Sequence, residues 1–420
     1  MSPLLADTAP LRNVYFRRMW VANIITVIGA QLTVVAVPAQ IYAITGSSAY
    51  VGLTGVFGLV PLVVFGLWGG ALADVMDRRI LLVITTVGLI VCSALFWVQS
   101  ASGVRNVWII LALFAISQAF FAVNQPTRSA VLPRLLPDHE LPAALSLNMT
   151  VVQAGAIAGP LIGGALIPVL GYSLLYLCDT FFLVPTLIAV IMLPSLRPEN
   201  VGPVKVPGLA SVIDGLRYLG GHKILLASFL VDLIAMIFGM PRALFPQMAH
   251  ESFGGPIDGG VAFALLFTAI SAGAVLGGVF SGWVSRVQRQ GLAVIVCIVI
   301  WGVAIIGTGI AVGCAGGRAL PMLPVALVAL MIGGAADMVS SAFRQSILLA
   351  AANDDVRGRL QGVFTVVVAG GPRIADVVHG AAAASVGVAV TTTVGGIGVV
   401  IGVIVAALAI PAFVRYRVAR

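Results

Sequence analysis

Residues 69–79 read Gly-Gly-Ala-Leu-Ala-Asp-Val-Met-Asp-Arg-Arg and join two long apolar runs. Each run has the length that a helix needs to cross the hydrocarbon core of a bilayer, about 20 residues. The small residues let helices pack closely, and Asp74 stands at a helix end shortly before the basic pair Arg78 and Arg79. An acid there can cap a neighbouring helix or pair with an arginine across a bundle. The stretch therefore predicts a charged turn between two membrane helices, with a simple basic loop as the alternative.

Apolar runs of this length recur along all 420 residues, of which 60% are hydrophobic and 9% charged. No soluble globular domain has that composition. The first run contains Gln31 and lacks a small-residue cleavage pattern, so we interpret it as a span and not as a removed signal peptide. The chain is predicted to be an all-α membrane protein with twelve transmembrane helices. The predicted spans are 17–44, 49–72, 80–100, 107–130, 141–168, 172–193, 222–248, 260–285, 291–314, 321–350, 359–382 and 387–413.

The net charge of +8 follows the topology of the chain. Arginine and lysine lie mainly at the N-terminus and in alternate loops, whereas the intervening loops hold only Arg105 and Arg318. This asymmetry is the positive-inside pattern, and it predicts that both termini lie in the cytoplasm. The expected contact of the basic residues is anionic lipid, not nucleic acid. The four cysteines and four histidines have no metal-ligand spacing, so we expect no metal and no cofactor.

The longest polar connection, 194–221, divides the chain into two halves. It contains an apolar stripe at helical spacing, which predicts an amphipathic helix at the cytoplasmic interface; the stripe is Leu209, Val212, Ile213, Leu216 and Leu219. We expect an N-terminal six-helix bundle at 1–193 and a C-terminal six-helix bundle at 222–420. Such a division fits a transporter built from two repeated bundles, with its site near the midplane between them.

The two halves carry a weak internal repeat. Arg128 at the end of span four is followed by Asp138, and Arg344 at the end of span ten is followed by Asp354, with the same offset. This similarity favours the two-bundle interpretation.

Seven charged residues lie inside the apolar segments. A charge at bilayer depth costs at least a few kcal/mol, so such residues line a pathway or pair with one another. Their presence predicts movement of a solute across the membrane. They are Asp179, Asp232, Arg242, Asp337, Arg344, Arg373 and Asp376.

Asp232 and Asp337 lie near the middle of spans seven and ten, without an obvious basic neighbour on their own helices. A lone acid in a membrane is either protonated or paired across helices. We favour a proton carrier or cation contact for Asp337. For Arg242 and Arg344 an anionic substrate is possible, but pairing with an acid is favoured. Asp179 lies near an outer end, where solvation is expected.

Arg373, Asp376 and His379 follow one another at i, i+3 and i+6 and form one stripe on a helix. Arginine lowers and burial raises the tendency of Asp376 to hold a proton. A proton or gating switch and a permanent ion pair remain equally open.

Three amides mark spans one and four: Gln31, Gln118 and Asn124. They are candidates for hydrogen bonds to a substrate, although such amides more often hold helices together. Residues 155–164 read Gly-Ala-Ile-Ala-Gly-Pro-Leu-Ile-Gly-Gly. The glycines allow close helix contact and Pro160 bends a helix, with an ordinary packing face as the alternative.

Residues 69–79 resemble the cytoplasmic signature Gly-x-x-x-Asp-x-x-Gly-Arg-Arg of the major facilitator superfamily, with Asp77 where the pattern has glycine. The resemblance implies that four residues latch the two halves on the cytoplasmic side, namely Gly70, Asp74, Arg78 and Arg79. Residues 155–164 look like the Gly-Pro-x-x-Gly-Gly motif of the antiporter branch. That likeness implies a block to leak during exchange of substrate and proton by Gly159, Pro160, Gly163 and Gly164.

Three stretches, one of them within residues 69–79, look most like bacterial siderophore exporters of the enterobactin group. Drug and macrolide efflux proteins share much of these stretches. The stretches are Val35-Ala-Val-Pro-Ala-Gln-Ile, Leu72-Ala-Asp-Val-Met-Asp-Arg-Arg and Gly358-Arg-Leu-Gln-Gly. Span four departs from the efflux pattern because it lacks the mid-helix arginine of Arg-x-x-Gln-Gly, and Arg128 lies at its inner end. This departure shifts the predicted proton relay to Asp337 and Asp376, with contributions from Asp232, Arg373 and His379.

The sequence favours a monomeric, proton-coupled exporter of an amphiphilic small molecule, either a siderophore or a drug-like compound, working by alternating access. Substrate contacts are assigned to Gln31, Gln118, Asn124 and Arg344. A multidrug or macrolide antiporter is the alternative, and an uncoupled facilitator or importer is less favoured. An enzyme is not expected, because the sequence shows no nucleophile–base pair, metal cluster or phosphate loop.

Overall fold

A computed structural model describes residues 7–196, 217, 219–351 and 354–417, without the side chains of 67, 69–71, 73–75, 285, 349–351 and 354–366. The predicted amphipathic helix in 194–221 therefore lies largely outside the described residues. The side chain of Asp74 and the surroundings of Gly70 also lie outside the part of the structure that is described.

The described residues form long helices and no strand. Ten of the helices are long and apolar enough to cross a membrane. Many large apolar side chains are exposed on them, such as Val169, Val279 and Leu408, as expected of a surface that faces lipid. The long helices are α1 (Val14–Thr45), α2 (Ser48–Val75), α3 (Arg78–Ala101), α4 (Val107–Leu135), α5 (Leu141–Ile191), α6 (Lys223–Gly239), α7 (Val261–Val279), α8 (Gln290–Cys314), α9 (Met322–Ala351), α10 (Asp354–Val386) and α11 (Val388–Ala409).

The prediction of an all-helical membrane protein is confirmed, and the count of twelve spans stays a prediction. α5 covers two predicted spans, 141–168 and 172–193. Gly171 separates them with φ 72° and ψ 167°, a backbone conformation that favours glycine. The predicted span 359–382 lies within α10, which is not among these ten helices.

The path of predicted span 222–248 changes direction after α6. α6 ends at Gly239, and Pro241, which has no N–H to continue a helical ladder, follows directly. A turn of 3₁₀ helix at Arg242–Leu244 comes next, and a π-helical turn occupies Met248–Ser252. The break places Arg242 at a helix end instead of inside a regular span.

The chain divides into two compact units. Unit 1 consists of Met1–Gln40 and Val60–Gly208, and unit 2 consists of Ile41–Leu59 and Leu209–Arg420. The end of α1 and the start of α2 thus pack with the C-terminal part of the chain. The bundle boundaries expected from the sequence, at 193 and 222, remain a prediction.

Candidate functional site

Unit 2 contains an acid-rich cluster, which we define as Asp232 on α6 with Asp337 and Arg344 on α9. A guanidinium nitrogen of Arg344 lies 2.9 Å from a carboxylate oxygen of Asp232, and both side chains are almost fully buried. Another lies 3.7 Å from a carboxylate oxygen of Asp337, whose side chain is 31% exposed. The prediction that Arg344 pairs with an acid is confirmed. Asp337, for which the sequence offered no obvious basic neighbour on its own helix, has Arg344 as a partner two turns further along α9.

One arginine in this cluster serves two acids, so the cluster carries one surplus negative charge when all three groups are ionised. The Asp232–Arg344 contact is short, but its atoms are not aligned as a hydrogen bond. Attraction between the charges therefore dominates the contact. A small cavity of about 10 Å³ beside the pair, lined in part by Ser228 and Leu348, has room for about one water molecule. It is much too small for an organic substrate.

Unit 2 also contains a base-rich cluster, which we define as Arg242 with Arg373 and Asp376 on α10. The Asp376 carboxylate lies near both guanidinium groups and accepts a hydrogen bond from the Ala243 backbone N–H. Asp376 is buried, whereas Arg242 is exposed. With all groups ionised this cluster carries one surplus positive charge, the opposite of the acid-rich cluster.

Glycines position the base-rich cluster by letting α2 approach the main chain of α10. A Cβ atom at Gly52 would lie 2.5 Å from the Asp376 carbonyl oxygen and 3.1 Å from the Cα of Gly380. A Cβ at Gly55 would overlap the Arg373 carbonyl, and one at Gly58 would lie 2.9 Å from the Arg373 guanidinium carbon. The three-residue spacing of these glycines puts them on one face of α2. That face holds the Arg373 guanidinium in place.

His379 lies one turn beyond Asp376 and is 2% exposed. Its ring lies beside Gly395 of α11 and the Phe238 carbonyl at the end of α6. Neither ring nitrogen makes an aligned hydrogen bond within the described residues. The stripe that the sequence predicted therefore reaches from α2 to the interface of α6 and α11.

The predicted substrate residues are distributed over both units. Gln31, Gln118 and Asn124 belong to unit 1 and Arg344 to unit 2. Asn124 donates hydrogen bonds to the hydroxyls of Thr85 (2.8 Å) and Thr86 (3.4 Å) on α3. This amide joins α4 to α3, as the structural alternative anticipated, and its substrate contact stays a prediction.

A family model of transmembrane secretion effectors matches residues 5–415. The chain belongs to this family. It is 29% identical over 422 aligned residues to the enterobactin exporter EntS of Shigella boydii serotype 18, covering 96% of this chain and 93% of that protein. It is 28% identical over 409 residues to EntS of Citrobacter koseri, with coverage of 92% and 89%.

The fold of this secretion effector family member is that of major facilitator transporters. A crystal structure of a variant of the nucleoside transporter NupG matches with a TM-score of 0.75 at 11% identity, covering 95% of this chain and 99% of that one. The resemblance to the major facilitator superfamily that the motifs indicated is thereby confirmed. The chain is a multi-pass membrane transporter and not an enzyme.

The glycine-rich motif of the transporter packs α5 against α1. A Cβ at Gly159 would overlap the Cβ of Gln31, and a Cβ at Gly163 would lie 3.0 Å from Leu32. Pro160 and Gly164 are buried beside them. The close helix contact is as the spacing predicts, while a function in preventing leak stays a prediction.

Asp77, where the superfamily signature has glycine, caps α3 of the transporter. Its carboxylate accepts hydrogen bonds from the Arg79 N–H (2.9 Å), the Ser195 hydroxyl (2.6 Å) and the Leu196 N–H (3.1 Å). Its φ of −59° needs no glycine. Arg78 donates to the Ala130 carbonyl of α4 at 3.1 Å. The departure from the pattern therefore keeps the turn and ties it to the segment after α5.

The prediction that Asp179 is solvated was wrong. Asp179 is 5% exposed, and its carboxyl contacts the hydroxyls of Thr33 on α1 (2.7 Å) and Ser93 on α3 (2.9 Å). The position of Asp179 near the end of a predicted span did not indicate these partners, because they lie on other helices.

A row of polar contacts extends along α1 and was missed by the sequence analysis. Besides Thr33, the Thr26 hydroxyl contacts Thr186 at 2.6 Å, and Gln40 accepts from the Tyr176 hydroxyl at 2.8 Å. The available signal was the seven-residue spacing of 26, 33 and 40, which keeps polar residues on one helix face.

A second missed group lies in unit 2 and joins the α1–α2 turn to the π-helical turn. Tyr42 donates to Glu251 at 2.7 Å, and Ser48 donates to Gln247 at 2.6 Å. Gln247 in turn donates to Glu251 at 2.9 Å. These hydrogen bonds hold residues 41–59 in unit 2.

Proposed function

We propose that this chain is a proton-coupled secondary transporter that exports an amphiphilic small molecule of the siderophore class across the bacterial inner membrane by alternating access. The observation that carries the proposal is full-length similarity to proteins named enterobactin exporters. The acid-rich and base-rich clusters of unit 2 support coupling to protons and recognition of a polar substrate. The positive-inside pattern supports cytoplasmic termini.

The acid-rich cluster is proposed to carry the proton. Arg344 lies 2.9 Å from the buried Asp232, whereas its contact with the partly exposed Asp337 is longer, at 3.7 Å. An acid that is both incompletely paired and accessible can exchange a proton at lower cost than a buried pair. Asp337 is therefore the principal carrier, and Asp232 returns Arg344 to a defined position after each exchange.

The base-rich cluster is proposed to attract the substrate. Its surplus positive charge and the exposed Arg242 suit an anionic group, and siderophores are polar, often anionic chelators. Asp376 and His379 would adjust this charge by binding or releasing protons. Gln31, Gln118 and Asn124 would supply hydrogen bonds, with Arg344 as a second cation.

Two motifs are proposed to control conformation. Gly70, Asp74, Arg78 and Arg79 would latch the cytoplasmic side. The Gly159–Gly164 motif would limit leak, because its glycines leave little space between α5 and α1.

Substrate class is tested in a deletion strain grown in low iron. We expect iron-free siderophore to accumulate inside cells and to fall in the medium, with reversal by the wild-type gene but not by Asp337→Asn. Unchanged siderophore secretion together with new sensitivity to cationic dyes would instead identify multidrug efflux.

Proton coupling is tested in everted membrane vesicles with a pH-gradient dye. We expect substrate-driven proton flux to be lost in Asp337→Asn, because a permanently neutral side chain cannot exchange a proton. Asp138→Asn, a change at an exposed acid, is the matched control. Intact flux in both Asp337→Asn and Asp376→Asn would show that the proton uses other groups.

A further inference from the structure

Asp179 lies in the middle of an antiparallel contact between α1 and the second half of α5. The flanking contacts are Thr26 with Thr186 and Gln40 with Tyr176. Asp179 is seven residues from Tyr172, where that half of α5 begins, or about 10 Å along the helix. It is 5% exposed. The carboxyl group is therefore enclosed by three helices and lies away from either end of the contact.

No cation balances this carboxyl group among the described residues. Its polar contacts are with Thr33 and Ser93, and its second oxygen is buried without a hydrogen-bond partner. The titratable side chains nearest in sequence on the enclosing helices are Cys92, Tyr176 and Cys178, all of which are acids and supply no positive charge. An isolated carboxylate in such a place is very costly, and a group of this kind takes up a proton instead.

The hydrogen bonds around Ser93 fit a neutral acid. The Ser93 hydroxyl has one hydrogen, yet its oxygen lies 3.1 Å from the Tyr176 carbonyl and 2.9 Å from Asp179. A carbonyl accepts only, so both contacts are hydrogen bonds when Ser93 donates to Tyr176 and Asp179 donates to Ser93. Thr33 then donates to the same Asp179 oxygen at 2.7 Å. Each hydroxyl hydrogen in the group has an acceptor in this arrangement.

We propose that Asp179, Thr33 and Ser93 form a proton-binding site in unit 1 that is occupied by a proton in this conformation. When the proton leaves, the Ser93 hydrogen turns from the Tyr176 carbonyl to the carboxylate, and Thr180, which donates to that carbonyl at 2.8 Å, keeps it satisfied. The site shares no residue with either charge cluster of unit 2. A contribution to transport rests on the proposed proton coupling, whereas proton occupancy does not.

Infrared spectroscopy of the full-length protein in lipid nanodiscs tests the site directly. A protonated carboxyl group gives a carbonyl stretch that an ionised one lacks. We expect the difference spectrum of the wild type minus Asp179→Asn to show this band, that of the wild type minus Asp138→Asn to lack it, and the Asp179 band to disappear reversibly at high pH. Equal bands in the wild type and Asp179→Asn would overturn the proposal.

Two further measurements keep the test decisive if Asp179→Asn fails to fold. Ser93→Ala removes the acceptor of the acid's hydrogen, and Thr33→Val removes a donor to it, so each is expected to shift the band. An unshifted band in both variants would overturn the proposal. Loss of the band on adding sodium at constant pH, but not on adding choline, would identify a metal-cation site and overturn it as well. Failure of siderophore export would leave the band unchanged, so the two proposals fail separately.

Discussion

Arg344 is the side chain on which the acid-rich cluster depends, and Arg344→Gln tests how the cluster is built. The change leaves Asp232 buried without a cation at 2.9 Å and removes the partner of Asp337 at 3.7 Å. Removing one member of a buried ion pair costs about 3–5 kcal/mol. The partly exposed Asp337 adds less than about 1 kcal/mol. We therefore expect a loss of about 3–5 kcal/mol, most of it from Asp232.

Neutral variants of Asp232 and Asp337 allow the losses of stability caused by each change to be ranked. Asp337→Asn is expected to cost less than about 1 kcal/mol, because its contact is longer and partly solvated. Asp232→Asn is expected to cost less than Arg344→Gln, because Arg344 keeps Asp337. The double variant Asp232→Asn/Arg344→Gln removes the unpaired buried charge and is expected to recover most of the stability lost in Arg344→Gln.

The assay is unfolding of the purified protein in mixed micelles, followed by tryptophan fluorescence and by thermal midpoint. The deficit of Arg344→Gln relative to the wild type is expected to be larger at about pH 8 than at about pH 5, because unpaired carboxylates are neutralised by protons at low pH. A double variant as unstable as Arg344→Gln, or a deficit that grows at low pH, would refute the reasoning.

Two further predictions concern helix contacts. Gly55→Ala is expected to lower stability by about 1–3 kcal/mol, because its Cβ would overlap the Arg373 carbonyl. The control Gly66→Ala, whose Cβ would meet no described atom within 4 Å, is expected to be neutral or stabilising. Equal thermal midpoints of the two variants would count against the close approach of α2 and α10. Asp77→Ala is expected to lower stability by about 1 kcal/mol through loss of the α3 cap and to speed proteolysis near Ser195. Asp77→Asn keeps an acceptor oxygen and is expected to be cleaved more slowly than Asp77→Ala. Equal rates of proteolysis in the two variants would contradict the capping function of Asp77.

The sequence was sufficient for the features that depend on local chemistry. Apolar length predicted the helices, and the division of predicted spans around Gly171 agrees with the backbone there. The sequence predicted that Arg344 pairs with an acid but did not identify Asp232 as that acid. The two residues lie on different helices, and only packing brings α6 and α9 together.

The residues that were missed or misjudged depend on contacts between helices. Solvation of Asp179 was predicted from its distance to a helix end alone. The hydroxyl groups of α1 and α3 that contact it did not enter that prediction. Likewise, the polar group at Tyr42 and Glu251 joins residues more than 200 positions apart. The spacing of threonines and glutamine along α1 was available in the sequence, but spacing alone does not name the partner helix.

The membership of residues 41–59 in unit 2 has a consequence for synthesis of the chain in the cell. These residues leave the ribosome early, whereas the segment that packs with them, Leu209–Arg420, follows only after some 150 further residues. Ile41, Tyr42 and Val51 are fully buried in the finished protein. During that interval the unit 2 residues that pack with this segment have not yet been synthesised. Unit 2 therefore cannot be completed from the C-terminal half alone, and a fragment beginning at 209 would be inserted with part of its interior uncovered.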